Sequence, residues 1–437
     1  MNRVLLSLLV LLFGTLISCR GVNHSNETIK AIEKTDSCLT DAANKYEVYI
    51  PARTKEEEKL PLLVIIDAHG SGKFALNKFK LAAGKYPMIL VASDYVKNGF
   101  EGYDRAIQTL INDVRSKYPV GKALFLTGFS GGARMALGYA LGHPADGLIL
   151  CGALAGRNEI STLSCPIISI SGTDDFNFME TAQYLFQEES LPHNLKIELT
   201  NASHSWPDSL ILDNAVGYLH FVTPNAESAN TRTQLTAYNQ QQQTRIESLK
   251  QQGDYLKAAL IARNMASVEL FDWNKTFATT YNSLKNDVVY RNQLSRLGNC
   301  LNYEIGMRQT YVEAFNTKES NWWKNEINTV EGKIKTEQDA MRADMYRRIK
   351  GFWGIVCYSL GKQAIAQHNA DLLNRVLFVY RTIEPENSEM YYYSAFPPFW
   401  QGNNEATISV LRKALKAGFT DLNRLKTDFP ESISSKL

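Results

Sequence analysis

The sequence predicts an α/β three-layer domain on a mostly parallel sheet, followed by an all-α domain. Three observations predict this. Short β-rich runs alternate with helical stretches from Tyr46 to about Val222; several runs are apolar at every position; and beyond about residue 225 long helical periodicity takes over. Continuously apolar runs suit parallel strands covered on both faces. Strand–helix alternation lays helices on either side of such a sheet.

The chain opens on "MNRVLLSLLVLLFGTLISCRG", in which Arg3 precedes an apolar core from Val4 to Ile17. That is the layout of a secretory signal peptide, and the run is short of the ~20 residues a membrane span needs. Leu16-Ile17-Ser18-Cys19 resembles a bacterial lipobox. The resemblance implies removal of residues 1–18, lipidation of Cys19, a tether over 19–30, and a lipid-anchored place in the bacterial cell envelope. With 437 residues there is room for two or three domains at roughly 150 each. We read 31–224 as the α/β domain and 225–437 as the helical one.

Net charge is +2, from 47 basic and 45 acidic residues without a basic run. Nucleic acid is not expected as a partner, since phosphate binding needs a concentrated positive face. Past Cys19 the cysteines are Cys38, Cys151, Cys165, Cys300 and Cys357, an odd set without metal-ligand spacing. Cys151, in "GLILCGAL", reads as a buried small hydrophobe. No cofactor or metal is expected.

The expected strands are "YEVYIPA", "PLLVIIDAHG", "MILVASDY", "KALFLTGFS", "GLILCGAL", "PIISISGT" and "LKIELT"; "RAIQTLINDVRSKY" and "METAQYLFQEES" are helical stretches between them. After "FVTPNAESANTRT" the glutamines Gln240 to Gln243 read as a solvated linker or first helix. Toward the end, "EPENSEMYYYSAFPPFWQGNNEATISVLRKALKAGF" is similar to a degenerate tetratricopeptide repeat. Leu360-Gly361 precedes Pro385 by the interval expected inside one ~34-residue unit. Thr407 stands where alanine is usual, and Pro397-Pro398 disturbs a helix interior. This region is the candidate surface for a protein partner.

"ALFLTGFSGGARMALGYAL" ends a strand and at once begins a helix, so Gly128-Phe129-Ser130-Gly131-Gly132 occupies a strand-to-helix junction. A serine projected from such a turn adopts a strained backbone that only small neighbours permit. Free N–H groups at the helix start face any negative charge forming there. Ser130 is the candidate nucleophile.

A serine hydroxyl needs a base and an orienting acid. In a parallel sheet such groups lie beyond the carboxyl ends of strands. His24 lies in the tether, His368 in the helical domain, and His143 ends the helix behind Ser130. His193 precedes a strand and His220 falls inside a helix as a packing residue, while His69 belongs to another loop. His204, in "NASHSWPD" directly after "LKIELT", is the candidate base. "PIISISGTDDFNF" supplies Asp174 and Asp175 as competing acids, and the spacing from Gly172 favours Asp175; Asp174 is left as a cap for the next helix. For the oxyanion, "HGSG" after the strand "LLVII" nominates the N–H of Ser71, with Gly70 as near alternative, and the residue after the nucleophile nominates Gly131.

"HGSG", "GFSGGARMA", "GTDD" and "SHSWPD" are similar to motifs of α/β-hydrolases of the polyhydroxybutyrate-depolymerase-like and feruloyl-esterase-like kind. They cover about residues 60 to 210. The resemblance implies Ser130, Asp175 and His204 as a triad with Ser71 and Gly131 at the oxyanion. "IDAHG" departs from it, with Asp67-Ala68 where an apolar pair is usual. Only 74 positions separate Ser130 from His204, too few for a sizeable lid. An open cleft on an exported protein suits ester groups of extracellular polysaccharide or polymer. The expected activity is that of a serine carboxylesterase; a peptidase of the same fold and an envelope scaffold are the alternatives.

Overall fold

The computed structural model describes residues 29–53, 58–187, 191–223, 229–268 and 273–437. The expected signal peptide, Cys19, His24, most of the tether and the boundary at 224/225 lie outside the described residues.

Eight strands make one sheet: β1 (Ile32–Cys38), β2 (Asp41–Ile50), β3 (Leu60–Ile66), β4 (Ile89–Ser93), β5 (Val120–Phe129), β6 (Gly147–Cys151), β7 (Ile167–Gly172) and β8 (Leu195–Thr200). Their order is β1-β2-β4-β3-β5-β6-β7-β8. β2 is antiparallel to both its neighbours, and the remaining pairs are parallel. This is the mostly parallel sheet of the α/β three-layer domain that the sequence predicts. β4 and β6 are buried at every position, as continuously apolar runs require. β1 was not expected. Its sequence "IEKTDSC" is polar and largely exposed, because an antiparallel edge strand can be wet.

The helices between them are α1 (Gly72–Lys85), α2 (Tyr103–Lys117), α3 (Gly131–Gly142), α4 (Arg157–Thr162), α5 (Phe178–Ala182) and α6 (Ser209–Val222). α1 packs with α6, and α2 with α3, giving the three layers. Beyond them the chain is helical: α7 (Ala229–Gln251), α8 (Tyr255–Ala266), α9 (Trp273–Lys285), α10 (Val288–Thr317), α11 (Ser320–Thr336) and α12 (Ala340–Ala366). α13 (Ala370–Ile383), α14 (Ser388–Ser394), α15 (Phe396–Trp400), α16 (Asn404–Lys416), α17 (Leu422–Asp428) and α18 (Glu431–Ser434) complete it.

The change in sequence character near residue 225 does not coincide with the change of core. Leu235, Tyr238, Ile246, Leu260, Phe277 and Leu297 join the core of the sheet, while Cys300, Trp323, Trp353 and Tyr380 belong to a second core. The division falls inside α10. The reason is the edge strand β8, whose open backbone groups need cover. Asn264 of α8 supplies it: its Nδ2 donates to Ile197 O at 2.9 Å and its Oδ1 accepts from Ile197 N at 3.3 Å. The glutamine run is accordingly helix rather than linker. Gln242 is buried and donates to Asn214 Oδ1 at 2.8 Å.

In the second core, α13 and α16 start alike. Each follows a residue of positive φ, His368 (52°) or Gly402 (73°), and an asparagine N-cap, Asn369 or Asn403. Between them the helical path breaks into α14 and α15, with proline in the first turn of α15, where it costs no hydrogen bond. The five cysteines Cys38, Cys151, Cys165, Cys300 and Cys357 are all buried free thiols.

Candidate active site

The elbow at Ser130 is built by close approach. A Cβ on Gly128 would lie 2.3 Å from the carbonyl carbon of Gly132, and one on Gly132 would lie 2.0 Å from Ile66 O. The glycines let the helix start directly against β3 and β5. Ser130 pays in backbone conformation, at φ 54° and ψ −117°. Its N–H is tied to Cys151 O at 2.8 Å.

His204 reaches Ser130 from the loop after β8. Its Nε2 lies 2.8 Å from Ser130 Oγ, and its Nδ1 lies 2.8 Å from Asp175 Oδ1. An ionised carboxylate only accepts, so Nδ1 carries the proton and Nε2 is free to accept from the hydroxyl. Asp175 is 1% exposed and also accepts the Asn177 N–H at 2.8 Å. The imidazole is enclosed by Phe129 and Phe176, with ring centroids at 4.6 and 4.1 Å.

The two competing aspartates separate cleanly. Asp175 faces His204, while Asp174 pairs with Arg347 Nε at 3.1 Å. Burial, with the neighbouring Asp344 charge, pushes the Asp174 carboxyl up. Asp174 does not cap the following helix: the Asn177 N–H goes to the Asp175 side chain and the Phe178 N–H to the Asp175 carbonyl. The other histidines lie elsewhere. His143 stacks on Tyr139, and His220 packs on Tyr86 with its ring pushed below the usual value by burial.

The oxyanion loop differs from the expectation. Ser71 N–H donates to Asp67 Oδ1 at 3.2 Å, His69 N–H to the same oxygen at 2.8 Å, and Gly70 N–H to Asp67 O at 3.1 Å. A buried carboxylate, needing donors, draws in the N–H groups of its own loop. The donors nominated there, Ser71 and Gly70, are therefore turned inward. Gly131 remains suited, since the first N–H of a helix has no intrahelical acceptor. Asn98 lies against Gly131, its Oδ1 being 1.7 Å from where a Cβ would stand. The unusual Asp67-Ala68 pair was the signal that this loop is built differently.

Among the described residues no group of three or more His, Cys, Asp or Glu side chains is placed to hold a metal ion. Among them, too, no helix is long and apolar enough to cross a membrane. A cavity of about 600 Å³ lies behind the His204 loop, lined by Ala202, Trp206, Arg245, Ser248 and Lys257 among others, and Ser130 does not line it.

No protein-family model matches the chain, and no curated protein matches it. Among solved structures it is similar to the fluorophosphonate-binding serine hydrolase F of Staphylococcus aureus, at 12% identity and TM-score 0.37 over 44% of this chain and 98% of that one. It is similar to the feruloyl esterase module of Clostridium thermocellum, complexed with sinapinate, at 16% identity and TM-score 0.33 over 42% and 84%. A serine hydrolase without lid from Xanthomonas campestris is similar at 19% identity and TM-score 0.32 over 44% and 93%.

Proposed function

We propose that the protein is a serine carboxylesterase with Ser130 as nucleophile, His204 as general base and Asp175 as the orienting acid. The observation that carries this reading is the unbroken hydrogen-bond chain from Ser130 Oγ through the imidazole to a buried carboxylate, each link 2.8 Å. His204 takes the hydroxyl proton as Ser130 attacks the ester carbonyl, and returns it to the leaving alcohol. Water then repeats the sequence on the acyl-enzyme. The oxyanion rests on the Gly131 N–H. Such a donor is worth roughly 3 kcal/mol in the transition state.

The proposed substrates are acyl or feruloyl esters on extracellular polysaccharide or polymer. Export and lipidation at Cys19 support that choice and remain part of the proposal, as does an envelope location. The carboxyl-terminal helices are proposed as tetratricopeptide-like and as a protein-binding surface. The matched starts of α13 and α16, about 34 residues apart, support this.

The test is turnover of p-nitrophenyl esters, acylated sugars and peptides by wild type and Ser130→Ala. Ester turnover lost in the variant is the expected result. Peptide cleavage alone means a peptidase, and inert wild type means a scaffold; either overturns the reading.

A further inference from the structure

The segment from Thr173 to Phe178 carries the triad acid, and the helical region grips it residue by residue. Arg348 of α12 donates from Nη1 to Thr173 O, and its guanidinium lies 4.9 Å from the Phe178 ring centre. Arg347 pairs with Asp174. Arg308 of α10 donates from Nη2 to Phe176 O at 2.8 Å. Gly351 of α12 leaves room for the Phe176 ring: a Cβ there would stand 3.3 Å from Phe176 Cδ1. Phe176 in turn lies on the His204 imidazole.

Both guanidiniums share one carboxylate. Glu304 is fully buried, and it receives Arg308 at 2.6 Å and Arg348 at 2.9 and 2.6 Å. A buried ionic cluster is a poor source of stability, since well-packed apolar residues do as well or better. Two cations against one carboxylate leave a positive charge over, beside the segment that carries Asp175. Burial pushes the Arg308 guanidinium down from its ordinary value, Glu304 pushes it back up, and Asp175 adds to that upward push.

We propose that Arg308 and Arg348 are positioning residues that hold the Asp175 loop, so that the helical region is a working part of the active site. The proposal rests on the triad reading above. Through the carbonyls of Thr173 and Phe176 the two side chains set where the carboxylate and the covering ring stand relative to the imidazole.

The first variant is Arg308→Met in the full chain, with Arg308→Lys as rescue. On a p-nitrophenyl ester, kcat should fall about 10- to 100-fold with KM within twofold, as a small misplacement of a catalytic group does. Arg308→Lys should recover most of the loss. Arg348→Met leaves Glu304 paired with Arg308, so the second variant is Arg348→Met alone, which should fold and share the kinetic defect. The low-field proton resonance of the His204–Asp175 bond reads the same geometry without turnover. It should be lost or displaced in Arg308→Met. Unchanged kcat and resonance overturn the proposal, even with an active enzyme. If wild type hydrolyses no ester, the esterase reading fails, and the resonance alone decides the positioning role.

Discussion

The Trp206 indole donates a 2.7 Å hydrogen bond to Asp67 Oδ2, joining two loops 139 positions apart in the chain. The other oxygen of the same carboxylate holds the N–H groups of His69 and Ser71. One buried side chain thus ties the loop after β3 to the loop that carries His204.

Trp206→Phe keeps the ring but removes the donor. It should cost about 1–3 kcal/mol of stability, the penalty for a buried polar group left short of a partner. Turnover should fall as well, because both loops lose their tie. Urea unfolding and ester kinetics on the same preparation check this.

Ser130 holds a positive φ that a side chain resists. Ser130→Gly should therefore raise stability by roughly 1 kcal/mol while abolishing turnover, part of the strain being offset by glycine's backbone entropy. A thermal midpoint no higher than that of wild type contradicts it.

Asn264→Ala exposes both backbone groups of Ile197 on the edge strand. The expected loss is about 1–3 kcal/mol, with increased self-association through the open edge. Chemical denaturation and light scattering read the two effects separately.

Lys196 on β8 is buried, and burial, helped by the Arg263 charge, pushes its ammonium down to about 8 from 10.5. Below pH 8 the group is charged in both states and its burial costs stability in full. Between 8 and 10.5 the unfolded chain holds more protons than the folded one, so stability rises with pH. Lys196→Met should stabilise by about 2–3 kcal/mol at pH 7, and the gain should shrink through that window. A gain independent of pH sinks the account.

Local pattern made most of the sheet legible, since β3 through β8 are apolar runs whose neighbours are helices. β1 was not, because a polar edge strand is defined by its partner β2 rather than by its own composition. The elbow was legible because glycine, serine and glycine at a strand end admit few backbones. The fate of Ser71 was not, because it turns on where the Asp67 carboxylate points.

By itself the sequence determined the layered domain, the strained serine and the order in which Ser130, the paired aspartates and His204 arrive. Each is a matter of neighbouring residues and their periodicity. Only the tertiary structure decided that Asp175 rather than Asp174 meets His204, that α7 to α9 belong to the core of the sheet, and that Arg308 and Arg348 hold the acid loop. Those contacts join residues 29 to 175 positions apart, and at such separations the chain's path through space, not its local chemistry, chooses the partners.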